Sequence, residues 1–594
     1  MKFAPFVKIN SLLIWTQTKL NKKQFIFLSS ILVGLSVGLA AIVLKTFAHY
    51  IFLGVTYNKL GSIKYLFLLL PLIGLFLTVL VIKRFFKNKF DKGLANIHFA
   101  IAKKSSVIPP EQMYAQILTS SLTVGFGGSA GLEAPIVITG AAFGSNYSRT
   151  YHLNYSERTL LLACGIAAGI GAAFNAPIAG VLFALEVLLI DISISAFTPL
   201  IIAAATGALI SKIILRDDIL LSFQLQQPFN YNNVPFYILL GLSAGLISVY
   251  YSRTFIKVEG LFHKSTNKVF LNVLIGGILL ASLIFIFPSL FGEGYQSIKT
   301  LAIQHPENLL DNSYFHEYKN NEWFVLSFVG ILIFVKTIAT AITLGSGGNG
   351  GNFAPSLFVG AYLGFFFSKV LNMLHLTNLP ISNFTIVGMA GILSGLYHAP
   401  LTAIFLIAEI TGGYTLMIPL MIVSSISYAV SKYFEPFSMD TKKLALSGKI
   451  FTYDRDHNIL TTIKTYNLIE TNFQKLSPSD KLGTIVELLS QSKRNIFPVT
   501  DKDNKLMGII ILDNVRNIIF KSEMYDKITA AELMTIPPAT VSSTETMEEV
   551  MKKFDETGAW NLPVVDNEQY VGFISKSSVF SSYRSKLKST TIAY

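Results

Sequence analysis

Apolar residues form long unbroken stretches along the first three quarters of this chain and short alternating groups along the last. The runs at Phe25 to Phe47, Tyr65 to Ile82, Ile331 to Ile342 with its flanks and Leu416 to Tyr428 with its flanks approach the roughly 20 residues a helix needs to cross a bilayer, so each predicts a span. Other runs are shorter and interrupted by Gly and Pro. Backbone released from helical hydrogen bonding is tolerated at membrane depth only where protein or a polar cavity shelters it, so the interruptions point to a pathway inside the body. The first run is too long, and followed by too many others, for a cleaved signal peptide; it reads as the first span. Around Lys442 the pattern turns to short strands and amphipathic helices of ordinary charge. The expected organisation is a cytosolic segment over 1–24, a transmembrane body over 25–447 with up to about ten spanning or half-spanning segments, and a cytosolic tail over 448–594.

Composition strengthens this division. Of 594 residues 52% are hydrophobic and 14% charged, with a mean hydropathy of +0.52, too little charge for one ordinary soluble globule. Basic residues flank the spans unevenly: Lys2, Lys8, Lys19, Lys22 and Lys23 precede the first, Lys83, Arg84, Lys87, Lys89 and Lys92 follow the second, and only Lys59 and Lys64 lie between. That asymmetry predicts both flanks to be cytoplasmic and makes the net charge of +13 a topology signal. No stretch interleaves basic and aromatic residues away from the membrane flanks, which argues against a nucleic-acid partner. A single cysteine, Cys164, excludes an intrachain disulfide and a cysteine zinc site.

The body repeats itself. The segment GFGGSAGLEAPIVITGAAFG, Gly125 to Gly144, aligns without gaps on GSGGNGGNFAPSLFVGAYLG, Gly345 to Gly364, with nine identities in twenty positions. At nearly the same offset FNAPIAGVLFALE, Phe174 to Glu186, aligns on YHAPLTAIFLIAE, Tyr397 to Glu409. Two matched pairs in one order predict duplicated halves, roughly 25–215 and 235–435, with the substrate between discontinuous helices at their interface. The plainer reading is close helix packing through small residues. Packing alone does not require proline at the same place in both copies, Pro135 and Pro355.

Each Gly-rich segment runs loop, one side chain, Ala-Pro, apolar helix, and proline suits a first helical turn, where its missing N–H is no loss. Two helix N-termini are therefore predicted, each offering bare amides and the positive end of a dipole, an anion site that needs no charged side chain. Glu133 lies inside the first. A carboxylate at membrane depth costs roughly 2.5 to 3.5 kcal/mol unless compensated, and the amides that hold a halide can hold it instead. Deprotonated Glu133 then blocks the anion position, and protonation or an arriving anion displaces it. The competing reading is a capping glutamate facing water. Its counterpart in the second copy, Phe353, is apolar.

Over Phe25 to about Gly448 the sequence resembles the CLC chloride channels and proton/chloride antiporters. GLEAP, Gly131 to Pro135, resembles the family motif that carries the gating glutamate; GGNFAP, Gly350 to Pro355, resembles the later motif whose amides, here those of Asn352 and Phe353, hold the central anion; FNAPIAGVLFALE is a further family stretch. The resemblance implies an all-α polytopic membrane protein of inverted repeats and a homodimer with one pore per subunit, in a prokaryotic inner membrane. It implies an anion-binding set of Lys92, Gly93, Gly131, Leu132, Ala134, Asn352, Phe353 and Asp440, with Glu133 as gate. Three departures stand out. Asp91, Lys92, Gly93, Leu94 and Ala95 replace the family's Gly-Ser-Gly-Ile-Pro, so Lys92 replaces the anion-binding serine; its ammonium either draws anions inward or is one more topology lysine. Leu132 and Ala134 replace the usual basic residue and glycine. Asp440 aligns with the tyrosine that closes the central site, unfavourable beside an anion unless paired.

Antiporters of the family carry an inner carboxylate just after the position of Glu186, where this chain has Val187. That shifts the expectation toward a voltage- or pH-gated chloride channel, with proton-coupled exchange as the alternative. The tail holds two units, about 473–520 and 529–586, each reading helix, strand, strand, helix, with Pro498 and Pro563, and Gly508 and Gly572, at equivalent places. SSTE, Ser542 to Glu545, reads as a capping box opening the second unit's helix. The tail resembles a tandem pair of α/β CBS domains, which implies an adenine nucleotide site at Asn514 and Ser578. Neither offers the carboxylate a ribose diol prefers, and Ile511 replaces a hydroxyl residue, so a structural or dimer-stabilising role is expected, with no cofactor. A divalent-cation channel needs acidic residues lining the pathway, yet only Glu133, Glu186 and Glu409 lie deep in the body. An enzyme needs a nucleophile and base or metal ligands, but His98 and His398 are isolated and neither HExxH nor GxSxG occurs.

Overall fold

The computed structural model describes residues 19–56, 66–86, 90, 92–187, 194–215, 227–263, 269–311, 313–446, 460, 463–492 and 494–590. The proposed boundary at Gly448, and Asp91, lie outside the described residues. The chain divides into two compact units, a helical body and a small tail.

The body begins with α1 (Lys22–Thr56), whose Ile31, Leu35, Leu39 and Val43 form an exposed stripe at four-residue spacing while Ser30, Val33, Val37 and Ala41 are buried on the other side. One helix thus presents a lipid face and a protein face. There follow α2 (Leu70–Val81), α3 (Ala95–Lys103), α4 (Gln112–Gly125), α5 (Glu133–Thr150), α6 (Tyr155–Phe174), α7 (Pro177–Glu186) and α8 (Ile194–Leu215). The second half comprises α9 (Val234–His263), α10 (Val269–Ile286), α11 (Tyr295–Ala302), α12 (Glu322–Gly345), α13 (Phe353–Met373), α14 (Ile381–Tyr397), α15 (Pro400–Ile410), α16 (Met417–Phe434) and α17 (Met439–Leu446). Eight helices among the described residues are long and apolar enough to cross a membrane, and α7, α14 and α15 are shorter apolar helices.

The duplication is visible in the packing. Helices α5 and α6 pack together as α13 and α14 do; α1 packs on α8 as α9 does on α16; α8 and α7 pack on α6 as α16 and α15 do on α14. The Gly-rich segments use different glycines for helix packing and for the loops before α5 and α13. In each copy the later glycines bring two helices into backbone contact: a methyl on Gly140 meets the Gly165 carbonyl, and one on Gly360 meets that of Gly388. The earlier glycines build the loops before α5 and α13, with Gly127 at φ +93° and Gly347 at φ +129°, conformations open mainly to glycine.

In the tail, α18 (Leu482–Gln491), β1 (Ile496–Thr500), β2 (Leu506–Ile511) and α19 (Leu512–Val515) form the first unit; α20 (Ala530–Leu533) is followed by the second, α21 (Met547–Thr557), β3 (Asn561–Asp566), β4 (Gln569–Ser575) and α22 (Lys576–Thr590). Each unit is an antiparallel pair with one register shift, Val499 pairing Gly508 and Val564 pairing Gly572. Ile496, Ile509, Tyr570 and Phe573 form a shared apolar seam between the units. The capping box falls one turn later than expected: Thr546 and Glu549 cap α21. Glu545 does accept the Ser542 N–H, but the Ser542 hydroxyl donates to Asp566 at 2.8 Å, so that pattern closes a turn before the helix.

Candidate functional site

Helices α5 and α13 start at Glu133 and Phe353, each with its proline in the first turn and no capping hydrogen bond from the side chain of the residue before it, Leu132 or Asn352. Their approaches meet in one antiparallel bridge: the Gly131 N–H donates to the Gly351 carbonyl at 2.9 Å and the Gly351 N–H to the Gly131 carbonyl at 2.8 Å. The two amide-bearing ends are thus joined, as duplicated openings around a shared anion position require.

Glu133 is 3% exposed. The Tyr295 hydroxyl, from α11, donates to its Oε1. Its other oxygen lies over Gly131, where a Cβ would collide with it, and completes no hydrogen bond; the Ala354 amide of the second opening faces the carboxylate. It therefore does not face water as a simple surface cap. Its repeat counterpart Phe353 is enclosed by Phe174, Phe183 and Tyr397, with ring centroids 5.4, 6.0 and 5.6 Å away.

A cavity of about 120 Å³ opens beside the joined helix ends, and Lys92, Gly93, Ala134, Asn352 and Asp440 line it together with Tyr397. Five of the sequence-predicted site residues thus converge on one space. The Lys92 ammonium donates to the carbonyls of Gly347 and Gly348 at 2.7 and 2.9 Å. It holds the loop before α13 while keeping its charge at the cavity, a position a flank lysine serving topology alone need not occupy. The amide of Gly131 is committed to the bridge, and that of Leu132 to Glu293 Oε1 at 3.2 Å, so neither presents a free donor in this arrangement. Tyr251 donates to Asn352 Oδ1 at 3.2 Å. Tyr251 and Tyr397 are both within electrostatic reach of Asp440, so tyrosines from α9 and α14 stand where alignment leaves an acid.

Glu186 and Glu409 have another task. Glu186, at the end of α7, accepts from the amides of Leu401 and Thr402 and the Thr402 hydroxyl at 3.0, 2.6 and 2.7 Å. Glu409, near the end of α15, accepts from Ile178 and Ala179 at 3.1 and 2.8 Å. Each helix of the pair caps the start of the other, as the repeat implies, and Val187 is buried and apolar. Sequence reasoning missed Glu293, Tyr295, Lys45 and Lys336. Two lysines within apolar runs, Lys45 on α1 and Lys336 on α12, are the signal that could have drawn attention to this group.

In the tail Asn514 is exposed and Ser578 half-buried. The Ser578 hydroxyl donates to the Ser575 carbonyl at 2.9 Å. No cluster of three or more potential metal ligands occurs among the described residues.

A sequence model of the voltage gated chloride channel matches residues 73–432, and CBS domain models match 466–521 and 530–585. The voltage-gated ClC-type chloride channel ClcB of Escherichia coli is 28% identical over 321 residues, 53% of this chain and 71% of that protein. Among solved structures, a slow cyanobacterial Cl−/H+ antiporter superposes with a TM-score of 0.62 at 21% identity, covering 72% of this chain and 98% of that one. A eukaryotic CLC transporter superposes with a TM-score of 0.59 at 17% identity, covering 93% and 97%.

Proposed function

The chain belongs to the voltage-gated chloride channel family and transports anions as an integral multi-pass membrane protein; from that premise we propose that it is a chloride channel gated by Glu133. The supporting observation is the position of that carboxylate, between the bridged openings of α5 and α13 and facing the Ala354 amide. Ionised, Glu133 competes with chloride for the positive ends of the two helices. Protonated, it loses that charge–dipole attraction and yields the position to an anion. The central anion would rest on the amides of Asn352 and Phe353, with the cavity lined by Lys92, Gly93, Ala134 and Asp440 as the entry from the cytoplasm, the side expected for Lys92 from the basic flanks. Short helices α7 and α15 expose Ile178 and Leu401, apolar surface that a second copy of the chain would cover in the homodimer.

A second reading, proton-coupled exchange, is favoured by one observation: Glu259 and Asp440 both line the inner cavity, so an acid is available there although Val187 is not one. Purified protein in liposomes tests both readings. Chloride efflux and proton movement are measured together at about pH 4.5 and about pH 7.5 for wild type and Glu133→Gln. The gate predicts wild-type efflux that rises on acidification, and Glu133→Gln efflux at pH 7.5 roughly tenfold over wild type at that pH, with a weakened pH response. An unaltered pH response in the variant overturns the gate. Uphill proton movement driven by a chloride gradient in the wild type replaces the channel by the exchanger.

A further inference from the structure

Between α10 and α11 the chain passes through Gly292, Glu293 and Gly294, with φ of +67° and +91° at the two glycines. This loop is pinned to the first Gly-rich loop. The Gly292 amide donates to the Gly127 carbonyl at 3.2 Å, and the buried Lys336 ammonium bridges the Gly292 carbonyl at 3.1 Å and the Ser129 hydroxyl at 2.9 Å. From it and from the first residue of α11, two polar side chains reach the opening of α5. Tyr295 donates to Glu133, and Glu293 Oε1 accepts the Leu132 amide. Two carboxylates therefore meet at one helix end: Glu133 from the helix itself, and Glu293, on the Leu132 amide, from a loop 160 residues further along the chain.

The surroundings bring the two carboxylates together with two lysines. Glu293 is within electrostatic reach of Glu133 on α5, Lys45 on α1 and Lys336 on α12; Tyr295 on α11 and Tyr397 on α14 complete the titratable groups facing the pair. Lys45 is fixed by the carbonyls of Ala172 and Ala173 at the end of α6. It stands 23 residues after Lys22, about 35 Å along α1 from the basic end at 1.5 Å per residue, which puts the cluster towards the end of α1 away from its basic flank. Two lysines balance two carboxylates. Neutralising either carboxylate leaves an excess of positive charge beside bare amides, a condition that draws in a mobile anion.

We infer that Glu293 is a second tethered carboxylate, an outer gate in series with Glu133, which holds the Leu132 amide against chloride until a proton or an anion releases it. The inference rests on the gating role of Glu133, and deepens it. A proton from the outer solution adds to the Glu293 carboxylate to give the neutral acid, and the Leu132 amide passes to the incoming anion. Glu133 must be displaced separately, so pathway opening depends on two protonatable groups. Lys336 acts as a positioning residue, holding the loop that carries Glu293.

Four full-length proteins in liposomes test this: wild type, Glu133→Gln, Glu293→Gln and the double variant, with chloride efflux recorded across about pH 4.5 to 8. The expected results are a several-fold faster efflux for Glu293→Gln than for wild type at pH 7.5, a residual roughly threefold acid activation in Glu133→Gln, and its loss in the double variant. The inference is overturned if Glu293→Gln superimposes on wild type at every pH, or if Glu133→Gln is already flat with pH and the double variant adds nothing. Those outcomes leave the Glu133 gate intact, whereas an unaltered pH response in Glu133→Gln sinks the gate itself. If a Gln variant does not elute as folded protein, Glu293→Asp keeps the charge but withdraws it by one methylene; it should conduct faster than wild type and remain acid-activated, and wild-type behaviour there overturns the inference.

Discussion

Removing the Glu186 carboxylate separates a structural role from a proton-carrying one. The preceding residues of α7 and α15, Ala176 and Ala399, have no side chain with which to cap their helices. Helices of 10 and 11 residues have little stability of their own, so the loss is not absorbed locally. In Glu186→Ala two amides and a hydroxyl lose their acceptor at the start of α15. Loss of an N-terminal cap costs about 1 kcal/mol, and loss of a half-buried negative charge at the same end adds about 1 to 2 kcal/mol. A total of about 2 to 3 kcal/mol is therefore expected. Glu409 serves two amides and no hydroxyl at α7, so Glu409→Ala should cost less, about 1 to 2 kcal/mol. Heating the detergent-purified proteins and following the folded peak by size exclusion should give the order wild type, Glu409→Ala, Glu186→Ala from most to least stable. The pH profile of chloride efflux should keep its shape in both variants. If Glu186→Ala melts with wild type, or flattens the profile while leaving stability unchanged, Glu186 belongs to the transport chemistry and the capping argument fails.

Two further predictions concern the scaffold and the tail. Gly140→Ala places a methyl on the Gly165 carbonyl and should destabilise the body by about 1 to 3 kcal/mol, seen as a lower melting temperature, because the contact is backbone against backbone and no side chain can turn aside; wild-type melting would show that the helices separate at little cost. Millimolar ATP, ADP or AMP should leave the tail's thermal transition unmoved, since the Ser578 hydroxyl already donates to Ser575 and Asn514 presents an amide in place of a carboxylate; a clear upward shift would establish a nucleotide site.

The features legible in the sequence were those written twice. The openings at Glu133 and Phe353 could be recognised because Gly-rich loop, Ala-Pro and apolar helix recur in order, and their junction through Gly131 and Gly351 follows from that duplication. Glu186 and Glu409 were legible as a pair for the same reason, although their reciprocal capping becomes visible only when α7 and α15 lie side by side. Glu293 and Tyr295 occur once, in a loop between helices, and no local pattern announces that they reach α5. The misplaced capping box has a related cause: Ser542 and Glu545 have the right spacing, but Asp566, on a strand 24 residues away, takes the serine hydroxyl.

The pathway itself differs between the halves more than the scaffold around it. Short-helix caps, glycine contacts and helix pairings repeat in both, so the two openings are held at fixed positions by equivalent forces. At the openings the equivalence stops. The first opening carries Glu133 and receives Tyr295 and Glu293; the second carries Phe353, closed in by aromatic rings. In the proposed pathway, an anion leaving the cavity would meet backbone amides and apolar walls at the second opening, but tethered carboxylates at the first. Two identical openings would offer an anion a symmetric well with nothing to regulate its release. Under the proposed gating, acids on one opening alone make its occupancy depend on protonation, a dependence that two identical apolar openings would lack.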